Sequence, residues 1–450
     1  MPKWAAVIMA AGKGTRMKSK LPKVMHRLAG KPLIAHVFDT VQQIGIDKTI
    51  LILGHGKEPI ESYFRGKVQV VFQDEQLGTG HAVMQALPEL EGVDHVLVLS
   101  GDQPLFRAET LQHLLDVHER EDAVATVLTA CFQDPFGYGR IVRSGGAFQM
   151  IVEEKDAQPE ERLIAEINTG TYGFKVSALR EALAGLTPQN AQGEYYLTGV
   201  FNVFQRSRNK VATALVEDPG EALGINSRVQ LAEAERTLRQ RILAYWMAEG
   251  VTIVDPATTH IDAEVELAQD VILLPFTMLQ GRTTIGEDAI IGPHVLLDRC
   301  RCGKGSEITH TVAREAVLGD GCKVGPFAYL RPGTELGPDV KVGDFVEVKN
   351  SKVGQGSKIP HLSYIGDADI GQAVNIGAGT ITCNYDGMKK YLTVIGDHCF
   401  VGSNSNLVAP VTVGEGAYIG AGSTITKDVP ARALAVERSR QVIREDWHRE

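Results

Sequence analysis

The feature that most constrains the fold is a six-residue periodicity in the second half of the chain. Aliphatic residues stand six positions apart in three series, from Ile261 to Leu297, from Leu318 to Val348 and from Ile395 to Ile425. A period of six matches neither the 3.6-residue turn of an α-helix nor the two-residue repeat of a flat strand. It is typical of a parallel β-solenoid, in which each hexad supplies one short strand and one turn. The periodicity therefore predicts a β-solenoid whose aliphatic residues point inward.

Two stretches of this half depart from the periodicity. Between Ile376 and Ile395 lies Cys383–Tyr391, a polar segment without a six-residue repeat. Lys358–Tyr364 is a second irregular stretch and contains His361. Insertions in repeat proteins form loops on one face, which is frequently the binding face. Because many solenoids are pure scaffolds, these interruptions, rather than the repeats, point to a function.

The first half alternates strand-like and helix-like segments. Apolar runs at Ala5–Ala10, Val93–Ser100 and Ala123–Thr129 are typical of strands buried on both faces. An amphipathic stretch, Thr110–Glu119, separates two of them. This alternation predicts an α/β domain built on a mostly parallel sheet. A charged stretch with helical periodicity, Gln230–Ala248, then predicts a connecting helix.

We therefore predict three parts: an α/β domain over residues 1–228, a linker helix over 229–250, and a solenoid domain with a C-terminal tail over 251–450. The net charge of −9 argues against a nucleic-acid partner, and no apolar run is long enough to cross a membrane. The N-terminus lacks the features of a signal peptide, and the six cysteines lack metal-binding spacing. These features predict a cytoplasmic protein with reduced thiols and no zinc site.

The segment after the first apolar run is rich in glycine and carries cations. It reads AAGKGTRM over Ala10–Met17 and is soon followed by Lys23. Gly12 allows backbone amides to approach phosphate oxygens, and Arg16 and Lys23 can neutralise phosphate charge. The segment lacks the Gly-Lys-Ser/Thr of a Walker loop and the third glycine of a dinucleotide fingerprint. It predicts a different phosphate-binding loop, with an ordinary glycine-rich turn as the alternative.

Further polar segments follow strand-like runs in this half. Gln73–Gly80 could contact a base or could be a simple turn. Asp102 ends a buried strand, where a carboxylate is a natural Mg²⁺ ligand, although a helix N-cap is an equal alternative from position alone. Asn168–Gly170 and Gly224–Ser227 offer polar groups for sugar hydroxyls or a metal, or else form turns.

Together these motifs resemble those of the sugar nucleotidyltransferase family. Gly137–Arg140, Ile167–Gly170 and Gln192–Tyr196 narrow the resemblance. With the hexapeptide half included, residues 5–440 resemble the bifunctional family that joins a UDP-N-acetylglucosamine pyrophosphorylase to a glucosamine-1-phosphate N-acetyltransferase. This resemblance implies a Rossmann-like nucleotidyltransferase domain followed by a left-handed parallel β-helix of hexapeptide repeats.

The resemblance also implies an activity. Glucosamine 1-phosphate would be acetylated from acetyl-CoA in the second domain. N-acetylglucosamine 1-phosphate would then receive a uridylyl group from UTP in the first, with release of pyrophosphate. The product, UDP-N-acetylglucosamine, is a precursor of peptidoglycan and lipopolysaccharide. The family further implies Mg²⁺ as a cofactor and a homotrimer whose acetyl-transfer sites combine residues from neighbouring chains.

The resemblance assigns roles to individual residues as well. Arg16 and Lys23 would bind phosphates and stabilise the transition state, and Asp102 and Asn226 would hold Mg²⁺. The nucleotide and sugar-nucleotide site would comprise Ala10, Ala11, Gly12, Lys23, Gln73, Gly78, Thr79, Gly101, Asp102, Gly139, Glu153, Asn168 and Asn226. Glucosamine 1-phosphate would contact Arg331, Lys349, Tyr364, Asn375 and Lys390. Acetyl-CoA would contact Ala378, Asn384, Tyr385, Ser403, Ala421 and Arg438.

His361 is implied as the base that takes a proton from the substrate amine, a task that suits an imidazole. By position alone a lone histidine is more often structural or solvated. The sequence departs from the family pattern at Ser363, where threonine is usual, and in the tail from Arg438 onward.

Two alternatives remain at this point. One is another sugar-1-phosphate nucleotidyltransferase, for ADP-glucose or GDP-mannose, whose solenoid only oligomerises or regulates. The segments His361–Tyr364 and Asn384–Gly387 argue against it, because a scaffold would not require them. The other is an inert assembly subunit, which the intact Arg16, Lys23, Asp102 and Asn226 argue against.

Overall fold

The computed structural model describes residues 2–12, 14–54 and 56–447, so Lys13 of the glycine-rich segment lies outside the described residues. The chain divides into two compact units, one up to Leu238 and one from Arg239. The division falls inside the helix Arg228–Ala248, which forms where the sequence predicts a connecting helix. The domain boundaries at residues 228 and 250 stay a prediction.

The first unit is built on one sheet of mostly parallel strands. In chain order the strands of this unit are β1 Trp4–Ala10, β2 Arg27–Leu28, β3 Lys31–Pro32, β4 Lys48–Leu53, β5 Gln69–Phe72, β6 His95–Ser100, β7 Ala125–Cys131, β8 Gly139–Ser144, β9 Ala147–Val152, β10 Glu166–Lys175 and β11 Val211–Leu215. The sheet runs β11-β7-β10-β6-β1-β4-β5, with β8 and β9 attached beside β10, while β2 and β3 form a separate hairpin. β10 is antiparallel to its neighbours β6, β7 and β8.

Helices cover both faces of this sheet. They are α1 Leu33–Gln43, α2 Glu58–Phe64, α3 Thr79–Ala86, α4 Ala108–Arg120, α5 Val176–Ala184 and α6 Gly199–Arg206. A further helix, α7 Arg228–Ala248, follows, and short 3₁₀ turns lie at Thr15–Met17, Lys23–Met25, Leu87–Leu90, Glu161–Leu163 and Pro219–Ala222. Along β1, Val7 packs into the core shared with α3, α5 and α6, whereas Ile8 packs into the core shared with α1 and α4. This two-sided burial is why the central strands are continuously apolar.

The second unit is a β-solenoid with three parallel sheets. The first sheet contains Thr252–Ile253, Ile272–Leu273, Ile290–Ile291, Glu307–Ile308, Lys323–Val324, Lys341–Asp344, Lys358–His361, Asn375–Ile376, Phe400–Val401, Tyr418–Ile419 and Leu434–Ala435. The second contains His260–Ile261, Thr277–Gln280, Val295–Asp298, Val312–Arg314, Tyr329–Leu330, Glu347–Lys349, Tyr364–Gly366, Ile381–Cys383, Asn406–Val408 and Thr424–Ile425. The third contains Glu266–Leu267, Thr284–Ile285, Arg301–Cys302, Val317–Leu318, Glu335–Leu336, Lys352–Val353, Ala368–Ile370, Thr393–Ile395 and Val411–Val413. Three stacked parallel sheets are consistent with the left-handed β-helix that the resemblance implies.

The inward direction of the periodic aliphatic residues is confirmed, since every member of the three series is buried. Between the first two series, Cys302, Ile308 and Ala313 occupy the interior positions. Coils there are also shorter: Leu297 pairs with Ala313, sixteen positions later, whereas a regular coil takes eighteen. Shorter coils and a cysteine or alanine inside explain why the aliphatic series loses its phase.

The two interruptions prove to be different in kind. Lys358–Tyr364 was expected to be irregular, and that expectation is wrong, because Ile359 and Ile365 continue the buried positions six apart. The polar stretch after Thr382 is a true insertion. Ile370 pairs with Ile395, twenty-five positions later, so this coil is seven residues longer than a regular coil of eighteen. We call residues 383–392 the excursion loop.

Candidate active sites

The first candidate site is a cavity at the carboxyl ends of β1 and β6. Its volume is about 300 Å³. Eight of the predicted residues line it, namely Ala10, Ala11, Gly12, Lys23, Gln73, Gly78, Thr79 and Asp102. The ends of parallel strands are where ligands bind in open α/β sheets. Gly101 holds the two strand ends together, because its amide donates to Met9 O at 2.9 Å.

Lys23 and Asp102 line this cavity, and Lys23 also contacts the side chain of Asn226. Lys23 Nζ forms an ion pair with Asp102 and donates to Asn226 Oδ1 at 2.9 Å. Asp102 also accepts from Ser100 Oγ at 2.5 Å. Asp102 is not a helix N-cap, since α4 begins only at Ala108 and is preceded by Arg107. One cation is therefore held between a carboxylate and an amide oxygen.

The loop Gln73–Gly80 forms the opposite wall. Gln73 Nε2 donates to Gly78 O at 3.0 Å, and Gln76 Nε2 donates to Ala11 O, which joins this loop to the glycine-rich segment. Gly78 has a φ of +112°, and a Cβ there would lie 2.6 Å from Tyr195 O. Only glycine fits this position. Gln76, which is not among the predicted nucleotide-binding residues, also lines the cavity.

The residues assigned to the sugar lie together beside a second cavity. A Cβ on Gly139 would lie 3.4 Å from Glu153 Oε2 and 3.5 Å from Asn168 Cβ. Glu153 lines a cavity of about 530 Å³ and accepts from Thr198 Oγ1 at 2.8 Å. Burial raises the pKa of Glu153. Asn168 lies within strand β10, next to a bulge, so the turn expected there as an alternative is not present.

Arg16 stands apart from the other predicted residues of this half. It lies in the 3₁₀ turn Thr15–Met17, is exposed to solvent, and does not line the 300 Å³ cavity. Its role as a phosphate ligand stays a prediction.

The second candidate site lies in the solenoid around a cluster of cations. Arg331 pairs with Glu347 at 2.8 Å and Lys349 pairs with Asp367 at 3.2 Å. Lys390, from the excursion loop, lies beside Lys349, and the proximity of this second ammonium group lowers the pKa of Lys390. Cations gathered in this way can bind an anion such as a phosphate.

Asp367 organises this cluster and was not selected from the sequence. It is buried and accepts from Asn350 Nδ2 at 2.6 Å and from Asn384 Nδ2 at 2.5 Å, besides Lys349. Burial opposes ionisation, but these donors outweigh it and lower the pKa of Asp367. Asn384 also contacts the Tyr364 hydroxyl at 3.5 Å. The structure thus joins predicted sugar-phosphate and acetyl-CoA residues through one carboxylate.

Four predicted residues, together with Asp344, lie along one edge of the first sheet. Its pairing sets His361 directly opposite Asp344, and the offsets of the following strand pairs, continued past the strand ends, bring Ala378, Ser403 and Ala421 to the equivalent position on the next three coils. Backbone bonds of 2.7 Å from Asn404 N to Ala378 O and from Gly422 N to Ser403 O continue this stack. We call these five residues the column. It brings the proposed base into line with three predicted acetyl-CoA residues.

The remaining predicted residues surround these two features. Asn375 lies on the coil after His361 and pairs with Lys358, which belongs to the same strand as His361. Tyr385 is exposed in the excursion loop and bridges to Lys390. Arg438 follows the last coil, where its Cδ would lie 3.7 Å from a Cβ on Gly422. Among the residues that the structure describes, no hydrogen bond joins His361 to the cation cluster.

The sequence matches known families over both halves. Residues 6–169 match the MobA-like NTP transferase domain, and residues 315–350 and 392–427 match the bacterial transferase hexapeptide with six repeats. The chain is 62% identical over 449 residues to "Bifunctional protein GlmU" of Desulfitobacterium hafniense (strain DSM 10664 / DCB-2), covering 100% of this chain and 99% of that protein.

Two further relatives carry the same name. Identity is 54% to that of Heliobacterium modesticaldum and 50% to that of Geobacillus thermodenitrificans, each covering 99% of this chain and 98% of the relative. A solved structure, a putative glucose-1-phosphate thymidylyltransferase from Bacillus anthracis in complex with a sucrose, aligns with a TM-score of 0.45 at 19% identity, over 52% of this chain and 94% of that one.

Proposed function

The chain belongs to the family of bifunctional GlmU proteins, and from this premise we propose how its residues carry out the family's two reactions. The enzyme acetylates glucosamine 1-phosphate from acetyl-CoA and transfers a uridylyl group from UTP to N-acetylglucosamine 1-phosphate, which yields UDP-N-acetylglucosamine.

Uridylyl transfer takes place in the 300 Å³ cavity of the first unit. The sugar phosphate oxygen attacks the α-phosphorus of UTP and pyrophosphate leaves. Such a transfer depends on alignment and on neutralising the charge that spreads over phosphate oxygens. Lys23, Gly12, Gln73 and Gln76 line this cavity. Lys23 would supply positive charge, the backbone at Gly12 would allow close approach of a phosphate, and the two glutamines would face the nucleotide. Arg16 would add a second cation from the adjacent turn.

Mg²⁺ would be held by Asp102 and Asn226. The observation that supports this is the shared cation: the Lys23 ammonium contacts both oxygens, so they already converge on one positive charge. A carboxylate and an amide oxygen are hard donors of the kind that Mg²⁺ prefers, with phosphates completing its shell. When bound, the ion would neutralise triphosphate charge.

Acetyl transfer takes place at the solenoid. The phosphate of glucosamine 1-phosphate would bind the cluster of Arg331, Lys349 and Lys390, with Tyr364 and Asn375 contacting the sugar. His361 would accept a proton from the amine, which must be neutral to attack the thioester. Acetyl-CoA would lie against Ala378, Ser403 and Ala421 of the column, with Asn384, Tyr385 and Arg438 beside it. An amide near Ala378 or Tyr385 would stabilise the tetrahedral oxyanion.

We also propose a homotrimer in the cytoplasm. A solenoid of hexapeptide repeats is compatible with assembly into an oligomer, and a closed ring with three-fold symmetry is one of the allowed arrangements. All six cysteines are free, as is usual in a reducing compartment. None of the described helices is both long enough and apolar enough to span a bilayer. The product would serve as a precursor of peptidoglycan and lipopolysaccharide.

The observation that carries the proposal is that one chain holds both the Lys23–Asp102–Asn226 cluster and the cation cluster of the solenoid. The test is an incubation with glucosamine 1-phosphate, acetyl-CoA, UTP and Mg²⁺, repeated with each component omitted. We expect CoA release without UTP, and UDP-N-acetylglucosamine only in the complete mixture with Mg²⁺. Absence of CoA release from the complete mixture would overturn the assignment of the second site.

A further inference from the structure

A carboxylate that none of these roles uses contacts the ring of His361. Asp344 ends the strand Lys341–Asp344, and His361 ends the next strand of the same sheet, Lys358–His361. The two strands are parallel and Asp344 stands directly opposite His361. Asp344 Oδ1 lies 2.5 Å from His361 Nδ1. The contact is therefore built by the register of the sheet and does not depend on two flexible surface chains meeting.

The backbone on both sides of this contact is also fixed. Leu362 N donates to Asp344 O at 2.9 Å, and Ser363 Oγ donates to His361 O at 2.8 Å. The residues after the pair, Phe345 and Leu362, both adopt left-handed conformations, with φ of 55° and 46°. Asp344 and His361 thus precede equivalent turns on successive coils, which holds their side chains in the same direction.

The chemistry of the contact determines which ring nitrogen is free. A carboxylate can only accept, so Nδ1 carries the proton and Nε2 presents a lone pair. Among the described residues Nε2 has no hydrogen-bond partner. The bond from His361 holds the pKa of Asp344 below its ordinary value, so the carboxylate is charged near neutral pH.

We propose that Asp344 is a positioning residue for acetyl transfer, which fixes the ring and the tautomer of His361 and leaves Nε2 ready to accept a proton. This inference rests on the proposed role of His361. In the reaction the amine nitrogen bonds to the thioester carbonyl carbon and its proton passes to Nε2. The C–S bond then breaks, and the imidazolium returns the proton to the leaving sulfur as CoASH. The negative charge of Asp344 stabilises the imidazolium while the ring of His361 carries both protons.

The size of the effect is limited by exposure. The side chains of His361 and Asp344 are 56% and 37% exposed, so water screens their attraction. We expect Asp344→Ala to lower kcat for acetyl transfer about ten- to a hundredfold, less than the full range attributed to a general base. KM for glucosamine 1-phosphate should change less than about threefold, because Asp344 belongs to no predicted substrate-binding set.

The experiment compares Asp344→Ala, Asp344→Asn and His361→Asn in the full chain. CoA release is measured for kcat and KM, and uridylyl transfer reports on folding. Asp344→Asn retains an oxygen that can accept from Nδ1 but lacks the charge, so its kcat should lie between those of the wild type and Asp344→Ala. Glu307→Ala is the matched control, since it removes an exposed carboxylate, paired with Lys323, from the same sheet.

The outcomes separate this inference from the proposed function. Loss of acetyl transfer in His361→Asn with wild-type kcat in Asp344→Ala would overturn the role of Asp344 and leave that of His361 standing. Full acetyl transfer in His361→Asn would overturn both. The inference is supported if kcat falls more in Asp344→Ala than in Asp344→Asn while KM and uridylyl transfer are retained. Should Asp344→Ala fail to fold, Asp344→Asn decides alone, and a kcat within twofold of wild type overturns it.

Discussion

At the scale of single residues, the first site is held together by Lys23. Its ammonium contacts the two oxygens that are assigned to a metal. Asp102 and Asn226 are 124 positions apart in sequence, yet one side chain reaches both. A carboxylate that has such a partner, and is itself buried, leaves an unpaired cation behind when it is removed.

Asp102→Ala should therefore abolish uridylyl transfer while acetyl transfer persists. We expect a loss of about a hundredfold or more in UDP-N-acetylglucosamine formation, of the size seen when one electrostatic group is removed from an active site. CoA release should stay within twofold. Asp116→Ala, an exposed carboxylate on α4, is the control. Equal loss of both activities in Asp102→Ala would contradict the assignment.

A second residue-scale effect concerns His118, a buried histidine away from both sites. His118 is fully buried, with Nε2 3.0 Å from His95 Nδ1 and Nδ1 2.9 Å from Thr126 Oγ1. Burial, together with the neighbouring His95, lowers the pKa of His118 to about 4. The unfolded chain binds a proton near pH 6.5, and the folded chain does not until the pH approaches 4.

The first unit should therefore lose stability as the pH falls from about 6.5 towards 4, by up to about 3 kcal/mol from His118. Thermal or urea unfolding at several pH values measures this slope. His118→Gln, which cannot titrate, should flatten it, whereas His113→Gln, an exposed histidine on the same helix, should leave it unchanged. An unaltered slope in His118→Gln would show that other groups dominate the acid sensitivity.

At the scale of elements, the excursion loop lengthens one solenoid coil by seven residues. Its ends are close, because Tyr391 N donates to Asn384 O at 2.8 Å. Solenoid coils contact mainly their neighbours, so a loop that leaves and rejoins one coil does not disturb the next. The loop supplies Lys390 to the cation cluster.

Deleting residues 385–391 should restore an eighteen-residue coil and leave the solenoid folded. Acetyl transfer should fall at least a hundredfold, since Lys390 and Tyr385 are lost together. Circular dichroism and uridylyl transfer would report on the fold, and CoA release on the site. Met388→Ala, at the exposed tip of the loop, should behave as the wild type. Normal CoA release from the deletion variant would remove the loop from the site.

The elements were predictable to the extent that their signal is local. The hexads, the loop after β1 at Gly12 and the buried strand that precedes Asp102 follow from periodicity and from turn chemistry. Asp344 and Asp367 were missed because their contacts depend on the pairing register of the solenoid. Each lies opposite a partner on a neighbouring coil, and the length of a coil varies between sixteen and eighteen residues along the chain. A sequence without a known coil length does not say which residues stand opposite.

At the scale of the whole molecule, the first turns of α7 belong to the first unit. Ala234 completes an apolar cluster with Leu28, Leu33, Leu105 and Ile225. The Ala29 amide also donates to Glu235 at 2.8 Å. The boundary at residue 228 and the linker helix over 229–250 stay predictions; by packing, the first compact unit extends to Leu238.

A fragment of residues 1–250 should consequently be more stable than a fragment of residues 1–227. Covering this cluster contributes about 2–3 kcal/mol, which corresponds to a Tm higher by roughly 5–10 °C. Differential scanning calorimetry compares them directly. Both fragments should transfer uridylyl groups at low temperature and neither should release CoA. Equal Tm values would show that the boundary at residue 228 is the functional one.

The column has a consequence of its own. Stacked strands are spaced about 4.8 Å apart, so His361 and Ala421, separated by three steps, lie roughly 14 Å from each other. Backbone hydrogen bonding sets that spacing, and side-chain substitution cannot stretch or compress it. On the proposed assignment, this fixed spacing selects the acyl donor by length: the donor must be long enough, when extended, to place its thioester at His361 while its other end contacts Ala421.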